Sequence, residues 1–118
     1  MLQLINNTPF QAALAVMTDK NGAEKAVVAV KATFSLPHEN QPVWLADKQI
    51  PILYCDEYWD QPGKSSIKFP VDLVLGKAGT DIGLVGHAYS SHETPVQRLQ
   101  ACLQVGVYKK EILIFGNR

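Results

Sequence analysis

Residues 71–91, VDLVLGKAGTDIGLVGHAYSS, gather the groups most able to do chemistry: Gly76, Gly79, Gly83 and Gly86, Lys77, the Thr80-Asp81 pair and His87. A glycine-rich loop with a lysine can cradle phosphates, because bare backbone amides and an ammonium both face the anion. The spacing argues against it. A P-loop needs a Gly five positions before its Gly-Lys-Ser/Thr, whereas position 71 is Val and Gly76-Lys77 is followed by Ala78. The glycines recur at intervals of three, four and three, which is not a dinucleotide fingerprint. The reading that fits is a turn at GKAGT, then a strand in which Gly83 and Gly86 mark a bulge or a close backbone approach.

Other titratable groups offer weaker constellations. His38 and His92 each precede a glutamate in a proline-flanked loop, and His87 sits on an expected strand; no third ligand is spaced to join them, so no metal is expected. CDEYWDQPGKSS places Asp56, Glu57 and Asp60 around Tyr58 and Trp59. Two carboxylates beside aromatics would suit glycoside hydrolysis, but neighbours on a strand point to opposite faces, so Asp56 and Glu57 cannot converge. Tyr58 and Trp59 suit a protein contact as well as a sugar site. No G-x-S-x-G occurs, and neither cysteine has a plausible base beside it. Catalysis and cofactors are therefore not expected.

These groups must be positioned by strands, since period two dominates the chain. KAVVAVKATFSL alternates, with Ala26, Val28, Val30, Ala32, Phe34 and Leu36 on the expected core face and Lys25, Lys31, Thr33 and Ser35 opposite. FQAALAVM sets Phe10, Ala12, Leu14 and Val16 on one face, and Asn21-Gly22 between the two runs supplies positive backbone angles for a hairpin. RLQACLQVGV alternates again, and YKKE is then expected to turn the chain into the closing ILIFG. Six prolines, from Pro37 to Pro95, punctuate the gaps between apolar runs. The expected fold is all-β and antiparallel, a β-sandwich or open β-barrel with hairpin connections. With 118 residues it forms a single β-domain over 1–118.

Composition limits the partners. Eleven basic and eleven acidic residues cancel, and the longest basic run is Lys109-Lys110, so no nucleic acid is expected. No apolar run approaches the ~20 residues that span a bilayer, so no membrane is expected either. MLQLINNTPF lacks the charged start and apolar core of an export signal, and Cys55 and Cys102 form no C-x-x-C pair. A cytoplasmic protein with free thiols follows. ILIF, with Leu113 and Phe115 on one face and Ile112 and Ile114 on the other, reads as a strand buried on both sides. A second copy or another protein is expected to cover it, the former giving a homodimer through this C-terminal strand.

NNTPF, VVAVKATFSL, CDEYW, VDLVLGKAGTDIGLVGHAYS and VGVYKKEILIFGNR occur in this order along nearly the whole chain. Together they resemble the amino-terminal part of a bacterial domain-of-unknown-function family encoded beside type VI secretion spike (VgrG/PAAR) and effector genes. VKATF, K-x-x-T-D-I and the closing G-N-R carry the resemblance most specifically, and their residues Lys31, Thr33, Lys77, Thr80, Asp81 and Arg118 read as structural. The resemblance implies a non-enzymatic adaptor or chaperone that binds an effector or a spike-tip protein for loading. Family members continue past the G-N-R motif, so the resemblance implies either a compact relative or the N-terminal portion of a longer architecture. On the residues alone, the interaction surface is expected at Ile112, Leu113, Ile114 and Phe115 with Tyr58 and Trp59. The alternative is a small-molecule or carbohydrate-binding β-domain using Trp44, Tyr58 or Trp59.

The turn around Lys77 should bind no nucleotide. Thermal melts with ATP, GTP or NAD should be unshifted, since a real site at a hundredfold excess over Kd would add ~2.7 kcal/mol. Saturable stabilisation lost in Lys77→Ala would overturn this.

Overall fold

The first alternating run folds as expected into a hairpin of β1 (Gln11–Thr18) and β2 (Glu24–Lys31), paired antiparallel from Gln11↔Lys31 to Thr18↔Glu24. Its turn differs in detail from the sequence reading. Gly22 alone has positive φ, at 81°, and Asn21 does not share it. Asp19 organises the loop instead: its Oδ1 accepts from the Asn21 and Ala23 amides at 2.8 and 3.0 Å. A short acceptor side chain here closes a five-residue loop that Asn-Gly alone would close in two.

The computed structural model describes residues 1–91 and 94–116. The remaining strands are β3 (Phe34–Ser35), β4 (Trp44–Leu45), β5 (Glu57–Tyr58), β6 (Ile67–Phe69), β7 (Arg98–Val105) and β8 (Tyr108–Phe115). All eight strands pair consecutively into four two-stranded antiparallel sheets, with YKKE inside β8 rather than at the turn, and no α-helix occurs among the described residues. The fold is all-β as expected, and the hairpins do not close into a barrel. By compactness the chain divides into two units, Met1–Gly79 and Thr80–Arg118, each described by itself below.

One expected strand is missing. Residues 80–90 form no ladder, and Gly83 and Gly86 have neither a positive φ nor any atom within 4 Å of an added Cβ. Two glycines in these eleven residues weaken a strand that has no neighbour to pair with. Gly76 does behave as a turn glycine, with φ 70°.

The core of the first unit lies on the opposite face of its hairpin from the one expected. Ala13, Ile52 and Leu73 are the buried apolar residues, packed by Ala15, Met17, Val27, Ala29 and Val71. The hairpin contributes its odd positions, Ala13, Ala15, Met17, Val27 and Ala29. The even positions point outward, with Val16, Val28 and Val30 each more than half exposed. Alternation could not choose, because both faces are apolar. The odd face carries three alanines, Ala13 opposite Ala29 and Ala15 opposite Val27, and small side chains let the 52–53 and 71–73 segments approach the sheet.

Face inversion has a direct test. Ala13→Asp should destabilise by ~3 kcal/mol or more, since it buries an unpaired carboxylate, while Val28→Asp should cost under ~1 kcal/mol. Equilibrium urea unfolding distinguishes them, and a reversed order would restore the even face as the core.

Candidate functional site

Because Lys31 occupies an odd position, it ends β2 on the core side rather than on a polar face. Its side chain is half-buried, and Nζ donates to Asp72 Oδ2 at 2.7 Å. The same oxygen accepts from the Leu53 amide at 2.7 Å, and the Asp72 amide donates to the Leu53 carbonyl at 3.0 Å. Three segments distant in sequence thus meet at one carboxylate. Nearby, Asp56 Oδ1 accepts from the Val71 amide at 2.8 Å. Two aspartates here do what a ladder does elsewhere, joining 53–56 to 71–72 through backbone donors.

Burial pushes the Asp72 carboxyl up, but the Lys31 and Leu53 hydrogen bonds and the lysine charge outweigh it, holding the group below the usual aspartate range. Those donors stabilise the anion more than desolvation penalises it.

Thr33 is the hub of a second polar clamp. Its amide donates to Gln49 Oε1 at 2.8 Å, and its carbonyl accepts from Gln49 Nε2 at 3.0 Å and from the Ala46 amide at 2.9 Å. Gln49 Nε2 also reaches the Ala46 carbonyl at 2.8 Å, and Thr33 Oγ1 accepts from the Ile50 amide at 2.9 Å. One glutamine satisfies backbone groups that the two-residue strands β3 and β4 leave open. Lys31 and Thr33 are thus held by partners that the sequence reading did not single out, Asp72 and Gln49, while Asp56, read there as one of a set of acids beside aromatics, accepts from the Val71 amide.

The other expected residues are dispersed. Lys77 lies exposed in the first unit; Thr80 and Asp81 lie exposed in the second. Arg118 and His92 lie outside the described residues. Tyr58 is half-buried on β5, while Trp59 is exposed with Lys68 Nζ 4.8 Å from its ring centroid. The ammonium takes one ring face of the tryptophan in a cation–π contact. Trp44 begins the short β4. His38 and His87 are exposed, and His87 stacks loosely on Tyr89 with centroids 6.4 Å apart. Among the described residues no three of His, Cys, Asp and Glu converge on a metal-sized site, and no helix is long and apolar enough to cross a membrane. Cys55 and Cys102 are exposed free thiols.

In the second unit the closing half of β8 is apolar and largely exposed. Ile112, Leu113 and Phe115 are 52%, 53% and 60% exposed, and Ile114 is half-buried. Within the second unit these side chains are therefore largely exposed, where the sequence reads as doubly covered. β7 and β8 run side by side from Arg98↔Phe115 to Val105↔Tyr108, and no third strand joins them among the described residues.

An antiparallel all-β protein built of hairpins, tied by carboxylate and glutamine clamps, is the class that this geometry defines. The chain belongs to a bacterial family described as an uncharacterized protein conserved in bacteria (DUF2169), which matches residues 21–118. No curated protein matches, and no solved structure does.

The Asp72 junction makes stability depend on acid in a definite direction. A carboxyl lowered in the folded state contributes above its unfolded value, and the contribution disappears as pH falls through the folded value. Asp72→Asn should cost ~1–3 kcal/mol at pH 7, and the gap to wild type should close as pH falls from about 4. Chemical denaturation from pH 7 to 2.5 checks this; a constant gap would mean the ion pair is not the cause.

Proposed function

We propose that the chain is a non-enzymatic accessory protein of type VI secretion, an adaptor or chaperone that binds an effector or a VgrG/PAAR spike-tip protein in the bacterial cytoplasm. The observation that carries the protein-binding part is the exposure of Ile112, Leu113 and Phe115 along one ungated strand. Contiguous exposed apolar surface marks interaction sites, and a sheet edge adds main-chain bonds to it. The charged groups of the first unit support the same reading: Lys31, Asp72 and Asp56 are occupied in holding segments together. The secretion context comes from the order of family-like segments, VKATF, K-x-x-T-D-I and G-N-R. A sugar platform at Trp59 is less favoured, because Lys68 already covers one face of the ring.

Co-expression with neighbouring spike and effector proteins should yield a complex that survives purification. Leu113→Lys, at an exposed position, should weaken it at least tenfold, as should Ile114→Lys, with the circular dichroism spectrum unchanged for Leu113→Lys. Failure of every spike and effector protein to co-purify would sink the secretion reading; an undiminished complex with both variants would remove β8 from it.

A further inference from the structure

We propose that the outer edge of β8 is a strand-addition site for an extended segment of a partner protein, apolar opposite Ile112 and Ile114 and acidic opposite Lys110. The inference rests on the reading that this chain binds protein, and it specifies the chemistry of what is bound.

The hairpin's turn fixes which backbone groups are available. Gly106-Val107 is a two-residue connection with Gly106 at φ 58°, so Val105 and Tyr108 form its closing hydrogen-bonded pair. Antiparallel pairs alternate, which makes Leu103–Lys110, Ala101–Ile112 and Leu99–Ile114 the bonded pairs that follow. The Gly116 amide donating to the Gln97 carbonyl at 3.0 Å continues that phase. The N–H and C=O groups of Lys109, Glu111, Leu113 and Phe115 therefore point away from β7. The edge carries no proline, and its charges, Lys109, Lys110 and Glu111, gather at the turn end, so Ile112–Phe115 is left without the usual blunting.

Side chains then set the occupant. On one face, Lys109 Nζ is already held by Glu111 at 2.7 Å. On the other face lie Lys110, Ile112 and Ile114, and Lys110 makes no ion pair among the described residues. Lys110 also borders a cleft of about 140 Å³ with Ile82, Leu103, Val105 and Tyr108. A strand added antiparallel would meet Lys110, Ile112 and Ile114 as its non-hydrogen-bonded pairs, where side chains come closest, at about 4.5–5.5 Å between Cβ atoms. An acid opposite the lysine and apolar residues opposite the isoleucines complete that face.

A second copy does not supply this pattern. In a two-fold edge pairing, outward residues bond outward residues, so Lys110 can oppose only Tyr108, Lys110, Ile112 or Ile114 of the copy's β8. None is acidic. The register that joins Lys109 to the copy's Glu111 also sets the two Lys110 ammonium groups against each other, which is destabilising.

The probe is a fluorescent heptapeptide, Thr-Val-Ile-Val-Thr-Glu-Thr, which in antiparallel register runs opposite Phe115 to Lys109. Anisotropy titration with the full chain should show saturable binding, about fivefold or more tighter than for the same peptide with Lys in place of Glu. Lys110→Glu, at an exposed position, should reverse that preference while the circular dichroism spectrum stays unchanged. N-methylating the peptide's first Thr and its Ile should abolish binding. Absence of binding, equal binding of the Glu and Lys peptides, or indifference to N-methylation would each overturn the proposal. So would a sedimenting dimer of this chain that the peptide fails to displace. Peptide binding without co-purification of any secretion protein would retire the secretion role and leave this edge site standing.

Discussion

A single carboxylate oxygen holds the first unit together. Asp72 Oδ2 takes the Lys31 ammonium and the Leu53 amide at once, each at 2.7 Å. The end of a hairpin, a segment twenty residues further on and another twenty beyond that are joined there. Beside the junction sit Ile52 and Leu73, two of the three apolar residues that are buried. The polar bonds and the burial support each other. The bonds place Ile52 and Leu73 over the alanine face of β1 and β2, and that packing withdraws the ion pair from water enough to strengthen it.

Short strands explain why so many side chains act as connectors. β3 to β6 have two or three residues each, so their ladders satisfy few backbone groups. Gln49, Thr33 and Asp56 fill the deficit by bonding amides and carbonyls directly. Each bond contributes little net stability, about 0.5–1.5 kcal/mol, but removing a partner leaves a half-buried group unmet, which costs more. Residues with the look of a chemical site thus turn out to be occupied by architecture. The surface with no such obligation is the apolar stretch of β8, where two neighbouring lysines differ in state: Lys109 is paired in its own strand and Lys110 is not.

The sequence by itself determined the all-β class, the β1–β2 hairpin and the apolar character of ILIF, because period-two alternation and turn residues are local properties; it misplaced the β7–β8 turn at YKKE, where the ladder runs on and Gly106-Val107 turns instead. It also excluded phosphate motifs, which are matters of spacing. Only the tertiary structure decided which face of β1–β2 is inside. Both faces are apolar, and the choice depends on how closely Ile52 and Leu73 can approach alanines rather than valines. It likewise decided that Lys31 meets Asp72, 41 residues away, and that Gln49 clamps Thr33. No local pattern encodes such partners, since a lone Asp or Gln in a loop looks the same whether it faces water or a distant amide. The missing strand at 80–90 has the same origin: alternation proposes a strand, but a ladder needs a neighbour, and neighbours are a property of the fold.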